Sequence, residues 1–84
     1  MPIKFMDSAW EDYLWFAQND KAGLKRINML IKDIQREPFA GIGKPEALRH
    51  NLAGYWSRRI SDEHRLCYTV ENDTLILLQC RFHY

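Results

Sequence analysis

The chain has 84 residues, 46% of them apolar and 27% charged, which excludes a disordered tail or a fibrous repeat and leaves room for one small domain over residues 1–84. A domain of this size buries only about 60–65% of the surface its unfolded chain exposes, so its stability margin is thin. Net charge is +1; the molecule as a whole is no polycation, and any grip on nucleic acid must come from how its charges are distributed.

Ile3–Met6 reads as a short first strand. Ser8 and Glu11 have the spacing of a capping box. Trp10, Tyr13, Leu14 and Ala17 then recur at helical spacing to about Asn19. Asp20 can cap a second helix, whose apolar positions are Leu24, Ile27, Leu30, Ile31 and Ile34. Pro38 ends it, because a proline disfavours helical geometry in the residue before it. From Phe39 to Gly54 the chain is punctuated by Gly41, Gly43, Pro45 and Gly54, as an irregular segment would be. Three runs rich in aliphatic and aromatic residues follow, 55–60, 64–71 and 74–81, joined by short polar turns in the manner of a three-stranded meander. The order βααβββ predicts an α+β domain, a small antiparallel sheet with a two-helix hairpin packed on one face and the other face free.

Neither Cys67 nor Cys80 belongs to a C-x-x-C pair, so free buried thiols are expected. No signal-type apolar stretch opens the sequence, and the run Leu75–Leu78 is far too short to cross a bilayer. An intracellular protein, cytoplasmic and without membrane attachment, is expected. His50, His64 and His83 lack the spacings of a zinc site. Gly41-Ile42-Gly43-Lys44 lacks the spacing of a phosphate-cradling loop. No metal and no cofactor are expected.

Between Lys44 and Arg65 the balance shifts to five cations (Lys44, Arg49, Arg58, Arg59, Arg65) against three acids, after six of each in residues 1–43. A solvated basic face is the ordinary meaning of such a cluster; a phosphate-binding surface is the sharper one. Glu46 lies in the Gly- and Pro-rich segment just ahead of those arginines, and Phe82-His83-Tyr84 follows the last strand. An acid, a set of cations and a histidine suit the cleavage of RNA, which carries its own nucleophile, the 2′-hydroxyl. Such a reaction needs a base for that proton, an acid for the leaving oxygen and cations for the charge that develops on phosphorus. Glu46, Arg65 and His83 supply those three kinds of group.

The string Lys44-Pro45-Glu46, Leu48, His50-Asn51-Leu52, Gly54, Trp56-Ser57-Arg58-Arg59-Ile60, Glu63-His64-Arg65-Leu66, Tyr68, Cys80-Arg81 and His83-Tyr84 resembles the YoeB-type toxins of the RelE/ParE superfamily. Trp10, Asp12-Tyr13 and Pro38-Phe39 extend the likeness over essentially the whole chain. The resemblance implies a RelE/ParE-like, microbial-ribonuclease fold and the toxin of a type II toxin–antitoxin pair. It implies cleavage of mRNA in the ribosomal A site, a YefM-like antitoxin and the ribosome as partners, and a homodimer. Carried over by position, Glu46 would be the general base, His83 the general acid and Arg65 the stabiliser of the scissile phosphate. Arg59 and Tyr84 would assist, with Lys44, Arg49 and Arg58 in contact with RNA. Where the family usually has lysine, this chain has Arg49, which keeps the charge but replaces a point cation with a planar fork.

One question stays open at this level. A two-residue turn at Asp62-Glu63 puts Arg58 on the face of Arg65, whereas a three-residue connection through Ser61-Asp62-Glu63 puts Arg59 opposite Arg65. The resemblance favours Arg59. Two other functions compete with RNA cleavage: a ParE-like poison of gyrase, which needs no acid–base pair, and a module that binds RNA without cutting it.

Overall fold

The computed structural model describes residues 1–82; His83 and Tyr84 lie outside the described residues. The helix that the sequence marks most sharply is α2 (Lys21–Arg36), with Asp20 at its N-cap accepting the Gly23 N–H at 2.9 Å. Its apolar stripe, Ile27, Leu30, Ile31 and Ile34, is buried and faces the sheet, as an i, i+3, i+4, i+7 pattern should.

The preceding helix, α1 (Asp7–Asn19), turns a different side inward than its spacing suggests. Ala9 and Phe16 are fully buried, while Trp10 and Leu14 are exposed. Nearly every position from Tyr13 to Ala17 is apolar, so periodicity alone permits two faces, and polar anchors make the choice. Asp12 Oδ2 accepts the Cys80 N–H at 3.1 Å, and Ser8 Oγ donates to the Leu78 carbonyl at 2.8 Å. Ser8 is thereby drawn into the helix and away from the expected capping box; Met6 is the N-cap and carries no side-chain cap. Trp10 stacks on Tyr13 and meets Phe5 edge-on at the surface.

The sheet has five strands, β1 (Ile3–Phe5), β2 (Glu46–Ala47), β3 (Trp56–Arg59), β4 (Arg65–Glu71) and β5 (Thr74–Gln79), in the order β1-β5-β4-β3-β2. The α+β class read from the sequence holds, with two corrections. The first strand runs parallel to β5 while every other pair is antiparallel, because two helices intervene before the chain returns beside it. A fifth strand, the two-residue β2, lies inside the segment expected to be irregular, and a single 3-10 turn (His50–Leu52) joins it to β3. Asn72 and Asp73, both at positive φ, form the tight turn between β4 and β5, where such φ values match strand twist.

The core lies between sheet and helices: Leu66 and Tyr68 of β4 and Leu75 and Leu77 of β5 meet Phe16, Ile27, Leu30 and Ile34. Alternation then sends the partners of these strand residues to the far side. No helix among the described residues is long and apolar enough to cross a membrane.

Candidate active site

Register settles which arginine joins Arg65. Ile60 N–H donates to the His64 carbonyl at 3.0 Å, so three residues, 61–63, make the connection. Arg59 therefore stands directly opposite Arg65, Ser57 opposite Cys67, and Glu46 opposite Ser57. Cross-strand partners share a face, so Glu46, Ser57, Arg59 and Arg65 lie together on the side away from the helices. Glu46 is one diagonal step from Arg59, offset by two residues or roughly 7 Å along the strand, and Arg65 lies one strand farther across the sheet.

Each of these side chains has a local reason for its place. Arg65 donates from Nε to the buried Ser57 hydroxyl at 3.0 Å, which aims the guanidinium while leaving its two terminal nitrogens without a partner among the described residues. Arg59 forms an exposed ion pair with Asp62. Its backbone N–H donates to the Gly43 carbonyl at 2.7 Å, tying the loop before Glu46 to β3. That close approach needs glycine: at φ 81° a Cβ on Gly43 would meet Leu30 Cδ2 at 2.7 Å. Lys44 and Arg49 are exposed on either side of β2.

Arg58 departs from the expectation that it contacts RNA. It is fully buried on the helix side, because its backbone position pairs with Leu66 and shares that face. Its Nη1 donates to Asp33 Oδ2 at 2.6 Å and the Ile42 carbonyl at 3.1 Å, its Nη2 to the carbonyls of Glu37 and Ala40 at 2.7 and 3.1 Å, and its Nε to the Tyr68 hydroxyl at 3.1 Å. No donor is left for a phosphate. Buried guanidinium groups persist where every N–H finds an acceptor, and here the acceptors are the carbonyls of the loop that leads to Glu46.

Sequence reasoning also passed over Ser57, although two residues before Arg59 in a strand is the same face, and over Asp33 and His64. Burial pushes the thiols of Cys67 and Cys80 up to about 11 and about 12, so neither is a nucleophile at neutral pH. A shallow concavity of about 380 Å³ lies elsewhere, along α2 between Lys21 and Lys32.

Residues 5–84 match the family model described as the YoeB-like toxin of bacterial type II toxin–antitoxin systems. The chain belongs to the YoeB-like toxin family. Toxin YoeB of Synechocystis is 63% identical over 84 residues, covering 100% of this chain and 98% of that protein. Among solved structures, a YoeB/ParE toxin from Agrobacterium tumefaciens superposes with a TM-score of 0.98 at 46% identity, covering 100% of both chains. YoeB from Staphylococcus aureus, solved as a dimer, gives 0.93 at 50% identity; solved in a heterotetrameric YoeB–YefM toxin–antitoxin complex, it gives 0.92, also at 50%. Both cover 100% of this chain and 98% of that one. The fold described above is thus that of the YoeB toxins.

Proposed function

We propose that this toxin is a ribosome-dependent mRNA endonuclease that cuts message in the ribosomal A site and so stops translation. The observation that carries the proposal is the pairing of Arg59 directly opposite Arg65 on the face that also holds Glu46. Like charges opposite one another destabilise a hairpin, and an anion between them turns that cost into affinity. A scissile phosphate is such an anion, and a carboxylate one diagonal step from Arg59 on the same face supports a base for the adjacent 2′-hydroxyl.

In this scheme Glu46 takes the 2′-hydroxyl proton as the 2′-oxygen attacks phosphorus. The bond from phosphorus to the 5′-oxygen breaks, and His83 gives that oxygen a proton. Arg65 and Arg59 offset the charge growing on the phosphoryl oxygens, with Tyr84 assisting and Lys44 and Arg49 on the flanking RNA backbone. The products are a 2′,3′-cyclic phosphate and a 5′-hydroxyl. Because the nucleophile belongs to the substrate and the charge is met by guanidinium groups, the scheme requires neither metal nor cofactor. His83 and Tyr84 enter through the family likeness.

For partners, the Staphylococcus aureus relatives supply the model. We propose a YefM-like antitoxin that covers the reactive face, a homodimer, and action in the cytoplasm, where ribosomes are. The test is end-mapping of mRNA in a defined translation reaction. Wild type should yield 5′-hydroxyl ends at the A site, while Glu46→Ala and His83→Gln should each cut about 10²–10⁴-fold more slowly. Intact message, or ends bearing 5′-phosphate, would overturn the scheme.

A further inference from the structure

His64 takes no part in the chemistry just described, yet it is only 6% exposed. Its ring lies among Phe16, Trp15 and Phe82, with centroids 5.2, 6.0 and 5.3 Å away. Packing alone would account for an aromatic side chain there, and a phenylalanine would serve. The polar contacts ask for something else. His64 Nδ1 accepts the backbone N–H of Phe82 at 2.8 Å. The next residue along, Arg65, donates its own N–H to the Phe82 carbonyl at 3.2 Å. Consecutive residues leading into β4 therefore grip both backbone polar groups of Phe82, and one of the two is the proposed phosphate-binding arginine.

Phe82 also has φ 62°, a left-handed conformation that a bulky side chain keeps only where its surroundings hold it. The guanidinium of Arg81 contributes to that hold. It lies 3.8 Å from the Trp15 ring centroid and 4.7 Å from that of Phe82, while its buried Nε has no hydrogen-bond partner among the described residues. Stacking holds the aromatic rings, and the His64 nitrogen holds the backbone.

We infer that His64 is a positioning residue for the active site: by accepting the Phe82 amide it fixes, beside Arg65, the backbone from which His83 extends. Its consequence for cleavage rests on the reading of His83 as general acid; the grip on Phe82 does not. An acceptor Nδ1 requires the tautomer with hydrogen on Nε2, and the Glu63 carboxylate 3.6 Å from Nε2 favours that tautomer.

Three measurements test this. Nitrogen NMR of the wild-type imidazole at neutral pH should show Nδ1 bare and Nε2 protonated; the opposite tautomer would overturn the inference without recourse to any variant. His64→Leu keeps apolar volume and removes the acceptor, whereas His64→Asn places a carbonyl oxygen near the position of Nδ1. In His64→Leu, hydrogen exchange at the Phe82 amide should accelerate by at least about 10-fold while the β4 and β5 amides stay protected. In the message-cutting reaction kcat should fall about 10–100-fold with KM within about twofold, as expected for a misplaced group. His64→Asn should recover most of both. Unchanged Phe82 exchange in His64→Leu, or faster exchange with unchanged kcat, would overturn the inference. Should wild type cut no message at all, the proposed function falls, and the tautomer and exchange data still decide whether His64 holds Phe82.

Discussion

At the scale of single residues, a hydroxyl decides where a guanidinium points. Ser57 is buried, and its Oγ accepts from Arg65 Nε at 3.0 Å. The bond takes the one nitrogen of Arg65 that a bidentate grip on phosphate does not need, and it leaves the fork formed by the two terminal nitrogens. Ser57→Ala should therefore cost about 1 kcal/mol of stability, the usual worth of a single hydrogen bond that water can partly replace. Its effect on cleavage should be larger, about a 10-fold fall in kcat, because a fork free to rotate seldom meets the phosphate in line. A double-mutant cycle separates the two effects. In an Arg65→Ala background Ser57→Ala should lower kcat no further, since the group it orients is gone. An additive loss would mean that the hydroxyl acts on the reaction in some other way.

At the scale of elements, the loop between α2 and β2 is held by a half-buried charge pair, Arg58 with Asp33, whose carboxyl half titrates. Asp33 is lowered from 3.8 to about 2, first by the Ile42 N–H it accepts and then by Arg58 and Arg36. A carboxyl whose folded pKa lies below its unfolded value stabilises the fold above the unfolded value, and the contribution fades as pH falls through the folded one. Denaturant midpoints should thus decline between pH about 4 and about 2, and Asp33→Asn should be less stable than wild type at neutral pH and flatter across that window. An identical slope in Asp33→Asn would assign the acid sensitivity to other carboxylates. This loop also marks how far the sequence could be read. Helix α2 was legible because a cap, a stripe and a terminating proline agree. The inward face of α1 was not, because apolar residues fill both candidate faces and distant partners, Leu78 and Cys80, choose between them. The two residues of β2 lack a strand's usual length, and Gly and Pro surround them. Arg59 and Arg58 could be told apart only by the length of one turn. The burial of Arg58 was invisible, since its acceptors, Asp33, three loop carbonyls and the Tyr68 hydroxyl, lie 10–25 residues away in sequence. Local periodicity predicts elements; the site depends on long-range pairings that periodicity does not contain.

At the scale of the molecule, the work of folding and the proposed work of cutting fall on opposite sides of one sheet. Among the described residues every buried apolar residue except Cys67, which stands opposite Ser57, belongs to the core cluster that holds the sheet against the helices, and that cluster uses none of Glu46, Arg59 or Arg65. A thin stability margin makes that separation useful, because charges gathered for a substrate are kept out of the packing on which the fold depends. It also lets the proposal be tested without disturbing the structure. A chain ending at Phe82 lacks the proposed acid and Tyr84 but keeps every described core residue and the contacts of Phe82 with His64 and Arg65. Its thermal midpoint should stay within about 4 °C of the full chain, a shift that in a domain of this size corresponds to less than about 1 kcal/mol. Its end-mapping reaction should show no cuts above background, because the leaving 5′-oxygen has no proton donor. Retained cutting would remove His83 from the chemistry and return attention to groups within residues 1–82. A large fall in midpoint would instead mean that the reactive end is part of what holds the fold, and that folding and cutting are not separated as the sheet's two faces suggest.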